Sequence, residues 1–404
     1  MARSLLRNPA MMLAAGATIL SIALGIRHGF GLFLQPMSFD NGWGREVFAF
    51  AIAAQNLIWG AVQPVTGMLA DRFGTARTVL GGAALYAAGL VLMAYSQTPG
   101  ELVFSAGLLI GLGLSGTTFA VVLGAVGRAA APEHRSRALG IATAIGSFGQ
   151  FVMLPGTLSA IGWLGWSGAL IALAAVSASM AVLATGLVGE PRHAAAHAGL
   201  AVREALREAF RHRGFRLLAF GFFVCGFQVV FIITHLPAFL VDEQLSLSVG
   251  TNALALVGLA NVAGAYLAGV WGGRVSKPAL LAAIYAGRAV VIAAFVWLPV
   301  TEWSAYLFGF VIGILWMSTV PLTNGVIAAV FGVRNLAMLS GVVYFVHQIG
   351  AFLGGWLGGY LYDLTGGYDA VWLIAVALSL FAAVINLPIR EEPVARLRAA
   401  APAA

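Results

Sequence analysis

Gly67-Met68-Leu69-Ala70-Asp71-Arg72-Phe73-Gly74-Thr75-Ala76-Arg77 is a short charged joint between two apolar runs, residues 46–69 and 77–96. Each run matches the ~20 residues that carry a helix across a hydrocarbon core. Runs of the same kind recur outward from this joint. They lie near 10–35, 101–127, 136–161 and 164–188 in the first half, and near 214–240, 249–272, 278–299, 302–330, 336–361 and 368–388 in the second. Hydrophobic residues make up 60% of the chain and charged ones only 9%, against the roughly 25% charge of a soluble domain. The runs are about twice the length of a barrel strand, and backbone in lipid must bond to itself, so the reading is all-α: a polytopic protein of twelve transmembrane helices.

Charge placement gives the topology. Nineteen of the 22 basic residues fall between segments on the side that carries the termini, Arg45 alone falls on the other, and Arg27 and Arg288 lie within segments. Basic residues mark the cytoplasmic side, so both termini are expected in the cytoplasm. Arg3 and Arg7 precede an apolar run as in a signal peptide, but that run is too long for one and leads into further spans, so it is read as retained. Arginine outnumbers lysine 21 to 1, which suggests a GC-rich bacterial source and therefore an inner membrane. Cys225 is the single cysteine, which excludes a disulfide framework and a multi-cysteine metal site.

The two halves repeat. An offset of about 201 residues brings Gly25 onto Gly226, Pro36 onto Pro237, Glu101 onto Glu302, Gly149 onto Gly350 and Phe151 onto Phe352, with Arg72 one residue from register with Arg274. Internal similarity between six-helix halves is the mark of a carrier with its site between them. The expected organisation is an N-terminal bundle over 1–188, a cytoplasmic linker over 189–213 and a C-terminal bundle with a short tail over 214–404. Within the linker, residues 200–213 alternate apolar and charged faces at helical spacing, with Glu204–Arg207 and Glu208–Arg211 three apart. This predicts an amphipathic helix, either a solvated connector lying on the leaflet or a regulatory docking site.

The opening joint, with its Gly67, Leu-Ala-Asp71-Arg72, Gly74 and Arg77, resembles the loop signature of the major facilitator superfamily. Pro132-Glu133-His134-Arg135-Ser136-Arg137-Ala138-Leu139-Gly140 is similar to that family's connection between its fourth and fifth helices, and Gly269–Arg274 is a partial second copy of the joint without its Asp. The resemblance implies two pseudo-symmetric six-helix bundles and gives Asp71, Arg72, Arg77, Glu133, Arg135 and Arg274 a part in a cytoplasmic gate; the other reading is that they are topology anchors. Leu361–Ala370 and the stretch from Gly42 through Asn56 to Pro64 resemble the monocarboxylate and oxalate/formate carriers. Relatives of the monocarboxylate type carry an acid and, four residues later, an arginine in the eighth helix, where Asn261 and Ala265 stand here. The glycine ladder of drug/proton antiporters is poorly met, since Pro155-Gly156 reverses its final pair.

All fifteen acids fall at one membrane face or the other. Arg27 and Arg288 therefore have no acid at their depth, and a buried charge without a partner is costly. An anionic substrate would supply that partner, because a guanidinium grips a carboxylate with two hydrogen bonds. Candidate substrate residues are Arg27, His28, Gln55, Asn56, Gln228, Arg288, Tyr344 and His347. The competing readings are that Arg27 snorkels or bonds backbone, that Arg288 stays within a supporting helix, and that the histidines and amides only join helices. Of the other polar groups at depth, His235 is read as one more helix-joining histidine. The function expected is secondary transport of a small organic anion, a mono- or dicarboxylate, by alternating access in a monomer, through proton symport or anion exchange, with no cofactor, metal or nucleic acid. Export of apolar or cationic compounds is the rival within transport, a non-transporting membrane sensor the rival outside it, and no constellation for an enzyme is visible.

Overall fold

A computed structural model of the protein describes residues 9–129, 135–188, 202–332, 336–395 and 397. Among them, eleven helical stretches are long and apolar enough to cross a membrane, and one of these, Ala138–Leu187, is really two. Gly165 breaks it with φ 70° and ψ 172°, a left-handed value that glycine alone adopts freely. Twelve spans result: α1 (Pro9–Asn41), α2 (Arg45–Phe73), α3 (Thr75–Ala94), α4 (99–129), α5 (135–164), α6 (166–187), α7 (Arg213–Asp242), α8 (Leu247–Gly272), α9 (Lys277–Trp297), α10 (Glu302–Phe331), α11 (Leu336–Thr365) and α12 (Asp369–Asn386).

Three spans are interrupted, each for a readable reason. α1 tightens into a 3₁₀ turn at Phe30–Phe33 and restarts at Leu34, which extends it beyond the expected residue 35. Pro36 thereby falls in a first turn, where its missing N–H has no bond to lose. α10 stops at Trp316 and resumes at Thr319. Pro321 explains this, because its ring clashes with the carbonyl four residues back and cannot donate to it. α4 breaks at Thr118, where Thr117 and Thr118 donate their hydroxyls to the Gly113 and Leu114 carbonyls at 2.9 and 2.6 Å, a back-bonding known to distort helices. The two breaks occupy equivalent places in the two repeats.

Packing obeys the same symmetry. α1 lies on α5 as α7 lies on α11, α2 on α4 as α8 on α10, and α3 on α6 as α9 on α12. Gly149 and Gly350, equivalent in the repeat, allow the first of these contacts: a Cβ on Gly149 would enter the backbone of α1 at Ser21, and one on Gly350 the backbone of α7 at Phe223. Small residues at such crossings are how helices associate closely in lipid. The bundles meet through α2 against α11 and α5 against α8.

These contacts run from the face opposite the termini down to Gly60, whose Cα faces the Gln348 side chain, and to Gln150, which donates to the Leu254 carbonyl at 3.0 Å. Beyond that level, on the side of the termini, α5 and α8 leave a gap between them. A cavity of about 720 Å³ opens there between α5 and α8, lined by Ala144, Ile145, Phe148, Leu259, Tyr266 and Phe310 among others. The predicted linker helix is present at Val202–Arg211. It buries Ala205 and Ala209, and beyond its end His212 meets Phe331 of α10 at 5.3 Å, so the connector adheres to the second bundle.

Candidate functional site

Arg27 is 7% exposed, near the end of the first part of α1. Its Nη2 donates to the Asn56 Oδ1 at 2.5 Å, and Asn56 is held in that orientation because its own Nδ2 donates to the Ile52 carbonyl. The guanidinium lies over the Trp59 ring at 4.9 Å. Trp59 in turn donates its indole N–H to the Thr118 hydroxyl at 2.9 Å, at the break in α4. Arg27 thus sits on an aromatic face with one neutral acceptor, and its Nε has no partner. Cation–π contact and a neutral amide hold a guanidinium without neutralising it.

The other candidates separate. Gln55 is fully buried and donates to the Ala106 carbonyl of α4 at 2.7 Å, so it joins two helices. His28 turns its Nδ1 to the Leu24 carbonyl one turn back, at 2.6 Å. Neither joins the Arg27–Asn56 pair. In the second bundle, Tyr344 and His347 are half-buried neighbours on α11, with Phe222 of α7 against both rings at 5.1 and 4.8 Å. His347 also meets the Gln348 amide at 3.2 Å. Asn261 is buried with its Oδ1 unpartnered.

Arg288 is turned elsewhere. It is 2% exposed, and its Nη2 donates to the Leu315 and Trp316 carbonyls at 2.7 and 2.8 Å, while Nη1 donates to the Gln228 Oε1 at 3.3 Å. Those carbonyls end the first part of α10, whose onward bonds the break removes. A cation at a helix C-terminus is electrostatically favoured as well. Gln228 is likewise engaged, donating to the Ala375 carbonyl at 3.0 Å and to the Ser379 hydroxyl of α12. Arg288 and Gln228 therefore form a brace across α7, α9, α10 and α12.

At the face opposite the termini lies a lock that the sequence reading did not single out. Arg45 of α2 makes paired bonds to Asp242 at the end of α7, both 2.7 Å, and donates to the Tyr368 hydroxyl at 2.9 Å, with Tyr362 under the guanidinium at 3.8 Å. Asp363, at the end of α11, accepts from the first two backbone N–H groups of α2, at 2.9 and 2.8 Å. One bundle thereby caps a helix of the other, and Gly44 is small because a Cβ there would collide with that carboxylate. Trp356 donates to Glu46 at 2.8 Å alongside. The signal was in the sequence: Arg45 is the one basic residue expected on that face.

At the face of the termini, Arg72, Arg77 and Arg274 are exposed, and among the described residues none of them meets an acid. The Asp71 and Arg135 side chains and all of Glu133 lie outside the described residues. The face opposite the termini is thus locked across the two bundles.

Known proteins resemble this chain at every level. The profile of the Major Facilitator Superfamily matches residues 11–333. An uncharacterized MFS-type transporter of Bacillus subtilis (strain 168), YcxA, is 27% identical over 384 residues, covering 89% of this chain and 90% of its own. Monocarboxylate transporter 11 of Homo sapiens is 27% identical over 401 residues, covering 93% of this chain and 81% of its own. Monocarboxylate transporter 13 of Bos taurus is 27% identical over 385 residues, 91% and 86%. Among solved structures, a bacterial homolog of the human lysosomal transporter Spinster, in an inward-facing and unoccupied conformation, superposes with a TM-score of 0.70 at 18% identity, over 95% of this chain and 98% of that one. With its repeated bundles, its interrupted fourth and tenth helices and the loop signature after α2, this chain is a member of the major facilitator superfamily and a multi-pass membrane transporter.

Proposed function

We propose that this transporter carries a small organic anion, a monocarboxylate or short dicarboxylate, by alternating access around Arg27. The observation that carries the reading is a buried guanidinium with a neutral partner, an aromatic floor and an unpartnered Nε, at a depth without acids. A carboxylate bound there gains charge-assisted bonds and meets no competing acid. Tyr344 and His347 supply polar groups from the second bundle, so the substrate would bridge the two. The kinship with proteins named monocarboxylate transporters favours the same class. Arg288 and Gln228 serve as the brace described above, and Gln55 and His28 as structure.

In this reading the face of the termini is cytoplasmic, the membrane is a bacterial inner membrane and the working unit is a monomer. Arg72, Arg77 and Arg274, with Asp71, Glu133 and Arg135, belong to the cytoplasmic gate, which is open while the outer lock is shut. A cytosol-negative potential opposes anion uptake by about 2.3 kcal/mol per charge per 100 mV, so uptake requires proton symport or exchange for a second anion. Uptake of labelled carboxylates into proteoliposomes, wild type against Arg27→Ala, tests the proposal. Saturable uptake lost in the variant supports it; equal uptake by both, or transport of cations instead, overturns it.

A further inference from the structure

A chain of hydrogen bonds leads from the outer lock into the protein and ends on a histidine. His235, fully buried on α7, has its Nε2 2.8 Å from the Gly355 carbonyl of α11. A carbonyl only accepts, so Nε2 carries a hydrogen, and in the neutral ring Nδ1 is bare. The Tyr368 hydroxyl, 3.1 Å from Nδ1, must then donate to it. The same phenol oxygen accepts from Arg45 Nη1 at 2.9 Å, and Arg45 is clamped to Asp242. Burial pushes the Tyr368 phenol above its usual range, so it keeps the hydrogen it donates.

We propose that His235 is a proton-binding site that couples the pH outside the membrane to the outer lock. It supplies the coupling ion that the anion-carrier reading leaves open, and rests on that reading only for its physiological use. An added proton can go only to Nδ1. That nitrogen then becomes a donor, the Tyr368 oxygen faces donors from both His235 and Arg45, and its own hydrogen loses its acceptor. Two cations share one oxygen. Asp242 offsets Arg45, and no further carboxylate among the described residues nearby is free to offset the imidazolium: Asp363 holds the amides of Arg45 and Glu46, and Glu46 holds the Trp356 indole. Tyr362 lies under Arg45, and Phe231 and Trp372 complete the wall with uncharged rings. The protonated ring is thus disfavoured while α2 and α11 are joined and relieved when they part. By linkage, protons then favour the outward-open state by the same factor that opening favours protonation.

The test follows the lock without any substrate, so its outcome is independent of the identity of the cargo. Spin labels at Trp163→Cys and Trp303→Cys, two exposed sites on different bundles, are placed in a Cys225→Ala background in lipid nanodiscs. Pulsed electron resonance then reports the distance across the outer face at about pH 5.5 and about pH 7.5, the interval over which histidine titrates. In the parent, the ratio of long to short distances rises about fivefold or more on acidification, the lower end of ordinary coupling. In His235→Gln it stays flat. A parent that does not respond, or a His235→Gln protein that responds as the parent does, overturns the proposal. Should His235→Gln fail to assemble, Tyr368→Phe keeps the ring and removes only the relay hydroxyl; a pH response surviving in that variant overturns it equally.

Discussion

Arg27 holds a neutral acceptor and leaves Nε bare, and this sets what its replacement should do. A hydrogen bond to a charged group contributes about 1.5–3 kcal/mol, so Arg27→Ala is expected to raise the KM for a transported carboxylate about 10–150-fold. Arg27→Lys keeps the charge but loses the planar fork, and should fall between the two in concentration-dependent uptake. Gln55→Leu, by contrast, removes a bond between α2 and α4 and should lower the melting temperature while leaving KM within about twofold, since uniform substrate binding is untouched. At this scale the sequence separates charge from scaffold, and already offers for Arg288 the competing reading of a supporting helix. Arg27 and Arg288 are both lone arginines in apolar runs. What the sequence does not announce is that the break in α10 gives Arg288 two carbonyls to hold.

That brace makes α10 the element where a helix break and a charge depend on each other. Arg288→Ala takes the guanidinium from the Leu315 carbonyl and leaves the Trp316 carbonyl only the Thr319 hydroxyl at 3.2 Å, at about 1–3 kcal/mol for a buried group left unsatisfied. Thermal unfolding in detergent should show a drop of several degrees. Pro321→Ala restores a donor at the break and should protect the amides around it in hydrogen exchange, with slower transport if the break works as a joint. The breaks in α4 and α10 were only partly legible. Pro321 can be read from the sequence, whereas the Thr117–Thr118 back-bonding needs coordinates, because threonine hydroxyls bond the same way in many unbroken helices. Hydropathy alone puts the α5–α6 corner near residues 161–164, and Gly165 supplies its cause.

For the whole molecule, twelve spans in two repeated bundles follow from run length, glycine register and arginine placement, three independent signals that agree. The conformation does not follow from them. Which face is shut depends on residues far apart in the chain, Arg45 with Asp242 and Asp363 with the start of α2, and no local pattern announces such pairs. Asp242→Asn weakens the lock by removing one charge of a pair, and should shift the distance distribution across the outer face toward the open form, with faster proteolysis of outer loops as a second readout. The pair is partly buried, its side chains 13% and 30% exposed, so it should contribute at least the roughly 0.2–1 kcal/mol of an exposed ion pair. A shift confined to that range would place most of the closing energy in the α2–α11 and α5–α8 contacts instead.

The apolar cleft between α5 and α8 has a consequence for the bilayer. In a membrane that opening should face hydrocarbon, and lipid tails are expected to enter its apolar recess. Closing the face of the termini would then squeeze lipid out sideways, which makes the solvent a participant in the transport cycle. Turnover in vesicles should then follow the chain length and stiffness of the host lipid even when substrate and pH are held constant.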